Sequence, residues 1–506
     1  MKAVLLAVLS GLMLTAGFPK PSLFFVSWMA LVPLLLALRG KSAKRAFLLG
    51  YVCGVVHYLT VLYWIRHAIY YYGGINYFLS NLILILLCLM LALYPAVFAL
   101  VAQRFARRPA LFVFALPFAW VTVVEFAMTF TPFSGFPWTA LGYTQTPWNR
   151  LIQAADITGV YGISWLVVFA STAVCGFIQN RFRKTAVPVL AVCIVAALAY
   201  GTWRIADVKA AQQAVPPFKV SIVQADVKQS VLWDPTSLTD TFQRYAQLSD
   251  DAVKAAPDTD LLFWPESAMP FFYGIDENYT KEANEIVRRA GKPVLFGSSG
   301  VTRVDGKPRL LNRAYLLNGD AQILGAYAKQ HLVPFGEYVP LKKYLFFVKH
   351  LVVGDVDFVA GTDPGPIYLD GHALGVLICY EVVFPSIPRE EVRRGARVLL
   401  NMTNDAWYGD TGGPYQHLEI SRWRAIESRV PLVRAANTGV SAAFDATGAE
   451  MGRIPLNTAG FLTVTVHPMR YLSFYTRFGD IFAWLSVVVT FLGVIFSYLG
   501  SEEIKP

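Results

Sequence analysis

Apolar residues follow two different rhythms along this chain. Before about residue 204 and after about residue 477 they form long unbroken runs, whereas from 218 to 467 they form short runs broken by charges, glycines and prolines. A helix needs about 20 apolar residues to cross a hydrocarbon core about 30 Å thick, because it rises about 1.5 Å per residue. Eight segments approach that length, at approximately 3 to 18, 23 to 39, 46 to 65, 77 to 102, 110 to 130, 159 to 178, 185 to 203 and 478 to 499. They predict a membrane domain of seven spans over 1–204, a water-facing domain over 218–467 and an eighth span over 478–499. The first segment, with Lys2 before it and "LTAGFP" after it, resembles a cleaved signal peptide, but a second apolar segment follows at once and favours a retained span.

The middle region alternates short strands with helices. "FKVSIVQADV" (218 to 227), "DLLFWPE" (260 to 266), "PVLFGSS" (293 to 299), "ILGAYAK" (323 to 329), "HALGVLICYE" (372 to 381) and "RVLLNMTN" (397 to 404) read as strands, and "PLVRAAN", "VSAAFDATG" and "GFLTVTV" as closing ones. Helical patterns fill 238 to 255, 278 to 291, 388 to 395 and 416 to 428, and Asp305-Gly306 and Asn318-Gly319 are hairpin signals. Strands alternating with helices predict an α/β domain whose sheet is covered by helices. No solenoid-type repeat or low-complexity tract interrupts it.

Composition agrees with a membrane protein: of 506 residues 55% are hydrophobic and 15% charged. Positive charge fixes the orientation. Arg39, Lys41, Lys44 and Arg45 follow the second segment, Arg104, Arg107 and Arg108 the fourth, and Arg181, Arg183 and Lys184 the sixth, while alternate connections carry only Lys20, Arg66 and Arg150. That pattern predicts both termini in the cytoplasm and the 218–467 domain on the outer face. The net charge of +10 comes partly from those loops, and no nucleic-acid recognition motif accompanies it.

Topology makes the cysteines informative. Cys53, Cys88, Cys175 and Cys193 fall in apolar segments, where cysteine is ordinarily a small hydrophobe, and Cys379 in "LICYE" is the one outside them. In an oxidising compartment such a thiol is buried and inert, intermolecular, or reactive. Two other strand ends carry unusual polar residues: Glu266 in "FWPES" and Lys329 in "AYAKQH". Each alone reads as a solvated edge residue; together they fit acyl transfer through a thioester. A carboxylate takes the thiol proton, and an ammonium stabilises both the thiolate and the oxyanion of a tetrahedral intermediate. No G-x-S-x-G elbow is present, the seven histidines show no metal-ligand spacing, and a Cys379–His331 pair would leave Glu266 and Lys329 unexplained. Neither a metal nor a cofactor is expected.

"FWPES", "KQHLVPFGEYVP" and "LICYE", in that order, resemble the Glu-Lys-Cys motifs of the nitrilase superfamily. With "NDAWYG" (404 to 409), "RAANTG" (434 to 439) and eight spans, the whole chain resembles that superfamily's membrane-bound apolipoprotein N-acyltransferase family. The resemblance implies an αββα catalytic sandwich on the periplasmic side of a bacterial inner membrane. It implies acyl transfer from a phospholipid, via the cysteine, to the α-amino group of a diacylglyceryl-cysteine at an apolipoprotein's N-terminus. By motif position Cys379 would be the nucleophile, Glu266 the general base and Lys329 the oxyanion stabiliser; Glu337 resembles the auxiliary glutamate, and Trp233, Tyr380 and Glu381 match positions used around the site. The backbone N–H of Tyr380 is expected in the oxyanion hole. Thr403 stands where the family more often has serine and Tyr408 where it has phenylalanine, neither expected to touch the nucleophile.

Lipid substrates call for a site near the outer leaflet. "YLFFVKHLVV" (344 to 353), with Phe346 and Phe347, is apolar enough to dip toward lipid, its alternative being a buried strand or helix. Trp407 and Trp233 are candidates for lining acyl access, or simple packing. Two other readings stand: a membrane-anchored amidase that resolves the thioester with water, and a transporter or receptor. The second is disfavoured because the spans hold few charges, Glu125 being the main exception.

Overall fold

The computed structural model describes all residues except 132–134, 181, 230, 231, 233, 234, 339–357, 364 and 500–506. The chain forms two compact units, one of Met1–Arg66, Tyr77–Ile205 and Phe478–Pro506, the other of His67–Asn76 and Ala206–Arg477.

In the first unit every one of the eight apolar segments folds as helix. Tyr77–Phe105, Leu111–Phe130, Val160–Ile178, Lys184–Gln213 and Ile481–Leu499 are each long and apolar enough to cross a membrane; Ala43–Val61 qualifies together with Trp64–Tyr71, to which it is joined through a break. Lys2–Ala16 and Phe24–Ala37 are apolar but shorter. Small residues set the packing. A Cβ on Gly50 would lie 2.4 Å from the Ala99 side chain and one on Gly54 2.9 Å from the Ala92 backbone, so "GYVCG" is the face that lets two helices close up. Glu125 is tied down by Trp120 Nε1 at 2.9 Å and the Leu141 N–H at 2.8 Å, both reaching Oε1.

The second unit is a sandwich. Its strands are β1 (Phe218–Gln224), β2 (Leu261–Phe263), β3 (Met269–Phe272), β4 (Val294–Val304), β5 (Lys307–Leu317), β6 (Ile323–Ala328), β7 (Ile367–Leu369), β8 (His372–Ile378), β9 (Val398–Thr403), β10 (Leu432–Ala436), β11 (Ser441–Phe444), β12 (Glu450–Ile454) and β13 (Gly460–Val466). One sheet runs β13-β1-β2-β4-β5-β6 with β3 beside β4; the other runs β12-β11-β10-β9-β8-β7. Helices α1 (Leu238–Ala255), α2 (Glu277–Ala290), α3 (Ser386–Arg393) and α4 (Gly413–Ser428) complete the unit.

Side-chain alternation builds the layers, because successive residues of a strand face opposite sides. Val220 and Ile222 of β1, Leu261 and Phe263 of β2 and Leu295 of β4 meet Leu374, Val376 and Ile378 of β8 and Val398, Leu400 and Met402 of β9 in one core between the sheets. Their neighbours Val223, Leu262, Val294 and Phe296 turn outward onto Phe242 and Tyr245 of α1 and Ile286 and Val287 of α2. Being buried on both faces, these strands are continuous apolar runs rather than alternating ones. On the second sheet α3 packs on β8 and α4 on β10, which completes the αββα order.

Asp305-Gly306 joins β4 to β5 as a two-residue turn, with φ of 52° and 74° at its residues, the geometry the sequence signal demands. Asn318-Gly319 instead begins a longer connection: Asn318 N–H donates to Gln322 O at 2.9 Å, and the positive φ of 62° falls on Ala321. Three strands escaped the sequence reading, β3, β7 and β12, all short and the last (EMGRI) carrying a glycine and two charges.

Gly297 on β4 lies against the turn that carries Glu266, where a Cβ would sit 2.7 Å from the Glu266 Cα and 2.7 Å from the Ser267 N. Both neighbours are backbone and cannot yield like a side chain. Gly297→Val is expected to destabilise the unit by about 1–3 kcal/mol and to lower activity; an unchanged thermal midpoint in detergent would contradict this packing.

Candidate active site

Three strand ends converge. Glu266 follows β2 after the "WP" turn, Lys329 directly follows β6, and Cys379 directly follows β8. The strand predicted over 372 to 381 stops at Ile378, because Cys379 adopts φ 52° and opens a tight turn over Cys379–Val383. A non-glycine residue in this left-handed region carries strain, and such strain persists only where surrounding contacts hold it.

Lys329 is 1% exposed and lies between two carboxylates, with Nζ 2.9 Å from Glu337 Oε2 and 3.9 Å from Glu266 Oε1. Burial alone would lower its pKa, but Glu337 and then Glu266 outweigh it and hold the ammonium above the ordinary lysine range. Asn312 of β5 spans the same pair, its Nδ2 donating to Glu266 Oε1 at 2.8 Å and to Glu337 Oε1 at 2.9 Å. The second oxygen of each carboxylate takes a backbone N–H: Asn404 on Glu266 at 2.9 Å and Val333 on Glu337 at 2.8 Å. Burial raises the Glu266 pKa and Glu337 adds to the rise, while Lys329, Asn312 and the Asn404 N–H pull it down.

Cys379 stands within electrostatic reach of this cluster. Burial pushes its pKa far up and Glu266 adds to the push, with Lys329 opposing. A thiol held protonated needs a base when substrate arrives. The Thr403 hydroxyl also bonds the Cys379 side chain, so the expectation that neither family departure touches the nucleophile fails at this residue.

Glu381 accepts N–H groups from Ile378 at 2.7 Å, Gln330 at 2.7 Å and His331 at 3.2 Å, and the Tyr327 hydroxyl at 3.1 Å. It therefore staples the strand end bearing Lys329 to the one bearing Cys379. Burial raises its carboxyl pKa to about 7 against those same N–H donors. His331 lays its ring on Phe384 at 3.8 Å, and burial followed by Lys329 lowers its pKa to about 4, which leaves a neutral packed imidazole. Tyr380 stacks edge-on against the same Phe384 at 4.9 Å. Trp407 is half-buried and meets the Tyr72 ring edge-on at 5.3 Å. Trp233, Phe346 and Phe347 lie outside the described residues.

Behind Cys379 runs a second buried network that the sequence reading missed. His417 of α4 reaches the Cys379 carbonyl oxygen through Nε2 at 3.2 Å, and its Nδ1 lies 3.0 Å from both Asp405 Oδ1 and Arg434 Nη2. Arg434 also binds Asp405 Oδ2 at 2.6 Å, Ser421 Oγ at 3.2 Å and Asn401. Although burial alone would raise it, Asp405 is held below the usual carboxylate range by Arg434 and His417. Asp405 and Arg434 belong to "NDAWYG" and "RAANTG", whose buried charges were the available signal.

A sandwich of this topology with a thiol, a carboxylate and an ammonium at converging strand ends is a carbon-nitrogen hydrolase fold, and residues 219–472 match the Carbon-nitrogen hydrolase family. Residues 10–173 match the Apolipoprotein N-acyltransferase N-terminal domain. The chain is 39% identical to an apolipoprotein N-acyltransferase of Geobacter metallireducens over 96% of this chain and 93% of that one. It is 32% identical to the Rhizobium rhizogenes apolipoprotein N-acyltransferase, over 99% and 96%. A solved carbon-nitrogen hydrolase from Helicobacter pylori G27 is similar at 16% identity and a TM-score of 0.39, covering 57% of this chain and 95% of that one. The chain belongs to the apolipoprotein N-acyltransferase family.

Glu381→Gln turns one acceptor oxygen into an amide donor that must face an N–H group. The expected loss is about 1–3 kcal/mol, read as a lower thermal midpoint; a midpoint equal to the parent's would rule out the staple. The buried thiol gives a further expectation: in the free enzyme, alkylation of Cys379 by iodoacetamide should still be accelerating above pH 9, the ordinary value for a thiol. A plateau below pH 8 would mean a preformed thiolate.

Proposed function

We propose that this protein transfers an acyl chain from a phospholipid, through a thioester on Cys379, to the α-amino group of the diacylglyceryl-cysteine that begins an apolipoprotein. The observation that carries the reading is the buried Lys329 side chain held between Glu337 and Glu266 at a strand end that Glu381 ties to the one bearing Cys379. Family membership supplies the substrate class and favours an amine acceptor over the water of an amidase.

In the first half-reaction Glu266 takes the thiol proton, the sulfur attacks the ester carbonyl carbon, and a C–S bond forms. The oxyanion draws on the Lys329 ammonium and the Tyr380 N–H. As it collapses, the ester C–O bond breaks and Glu266 returns the proton to the departing oxygen, releasing lysophospholipid. In the second, the acceptor's neutral amine attacks the thioester carbon, Glu266 accepts the N–H proton, the C–N bond forms, the C–S bond breaks and the proton returns to sulfur. Glu337 and Asn312 act as positioning residues, holding Lys329 and Glu266 at fixed separation. Glu381 fixes the nucleophile's turn.

The same reading takes the eight apolar segments as eight spans in a bacterial inner membrane, with both termini cytoplasmic and the 218–467 domain periplasmic. Trp233 belongs to it as an active-site residue, and Phe346, Phe347 and Trp407 as the lipid-facing access. No metal or cofactor enters the chemistry.

Incubation with a phospholipid labelled in its acyl chain should place that acyl group on Cys379 by peptide mass spectrometry. Cys379→Ala should abolish it, and Glu266→Gln should slow thioester formation by at least about 100-fold, in the range of general-base effects. Label on another residue, or normal turnover by the alanine variant, would sink the mechanism. Glu266 must be ionised to act, and its pKa is raised, so acylation should fall as the pH drops, with a midpoint above 4.5; a midpoint at or below 4.5 would contradict its role as base.

A further inference from the structure

We infer that His417 is a positioning residue for the oxyanion hole: by holding the Cys379 carbonyl from behind, it aims the Tyr380 N–H at the substrate oxygen. The inference rests on the reading of Tyr380 N–H as an oxyanion donor. The peptide linking Cys379 to Tyr380 is planar, and in a trans peptide the C=O and the N–H point in opposite directions. Whatever fixes the direction of the Cys379 oxygen therefore fixes the direction of the Tyr380 hydrogen.

His417 Nε2 is 3.2 Å from that oxygen. A carbonyl has no hydrogen to give, so Nε2 is the donor and carries the proton. The ring cannot swing away, because Nδ1 is gripped at 3.0 Å by Arg434 Nη2 and faces Asp405 Oδ1 at the same distance. Arg434 is itself locked by Asp405, Ser421 and Asn401, and all the side chains of this cluster are buried. Tyr408 adds an edge-on ring contact to His417 at 6.1 Å.

The need for such a grip is local. Cys379 stands at φ 52°, a conformation an L residue leaves unless it is held from more than one direction. Glu381 holds the turn through the Ile378 N–H on one side of Cys379, and His417 holds the peptide on the other. Without His417 the Cys379 carbonyl loses the side-chain donor that fixes its direction within the turn, and a misaimed N–H contributes little to an oxyanion.

Two reactions of the same sulfur separate aiming from mere structure. Acylation by phospholipid passes through an oxyanion, whereas alkylation by iodoacetamide does not. In the full-length protein in detergent, H417M should slow single-turnover acylation of Cys379 by about 10- to 100-fold with the phospholipid KM within about twofold of the parent, while alkylation stays within about twofold. H417Q keeps an amide N–H near the position of Nε2 and should recover acylation to within about fivefold. H417N, whose amide falls short of the carbonyl, should not, and this pair decides the question if the Met variant misfolds. Acylation unchanged in H417M or H417N, or acylation and alkylation falling together, would overturn the role of His417. A parent enzyme that forms no acyl-Cys379 at all would instead overturn the thioester reading on which it rests.

Discussion

The candidate site depends on one buried carboxylate that ties two strand ends together. Glu381 gathers three backbone N–H groups and a tyrosine hydroxyl from two segments about fifty residues apart, and in doing so joins the ends of β6 and β8. Those two strands lie in different sheets, so no ladder hydrogen bond fixes their relative register. Core packing between the sheets sets the distance to within a side chain's slack. Hydrogen bonds to a charged acceptor, each worth about 1.5–3 kcal/mol in favourable cases, remove that slack where Lys329 and Cys379 must meet.

With the strand ends fixed, charge placement decides the chemistry. A lysine buried to 1% would ordinarily lose its proton, yet Glu337 at 2.9 Å and Glu266 at 3.9 Å keep it charged. That ammonium in turn lowers the Glu266 pKa, and removing it would leave two buried carboxylates with no cation between them. Burial, with Glu266 adding to it, raises the pKa of the thiol at the edge of this balance, and in the proposed reaction Glu266 takes its proton. A protonated thiol is the less readily oxidised form, since thiolates and not thiols react with oxidants.

Much of this was legible in the sequence, and the reason is periodicity. Eight apolar runs became helices, and the strands alternating with helices became a sandwich, because burial on one or both faces writes directly into residue order. Glu266, Lys329 and Cys379 stood out for a related reason: a polar residue ending an apolar strand breaks the pattern at one position. Asn312, Asn404 and His417 do not. Asn312 sits inside β5 and His417 inside α4, among residues whose pattern already satisfies a strand and a helix, and their partners lie 25 to 138 positions away in sequence. Glu381 was visible as a candidate, but its function as a staple depends on the Gln330 and His331 N–H groups, and backbone donors leave no trace in residue identity. The span count shows the same limit, since Lys2–Ala16 and Phe24–Ala37 fold as apolar helices shorter than a membrane crossing needs.

The central claim is that Cys379 holds an acyl group between two substrates rather than passing it to water. The most direct measurement isolates the enzyme loaded with labelled acyl chain and follows the label after adding a peptide that begins with diacylglyceryl-cysteine. The predicted result is rapid movement of the label onto the peptide's α-amino group, with slow release of free fatty acid when peptide is absent. Release of fatty acid at one rate, with or without peptide and with no labelled peptide formed, would contradict the claim and make this chain a hydrolase.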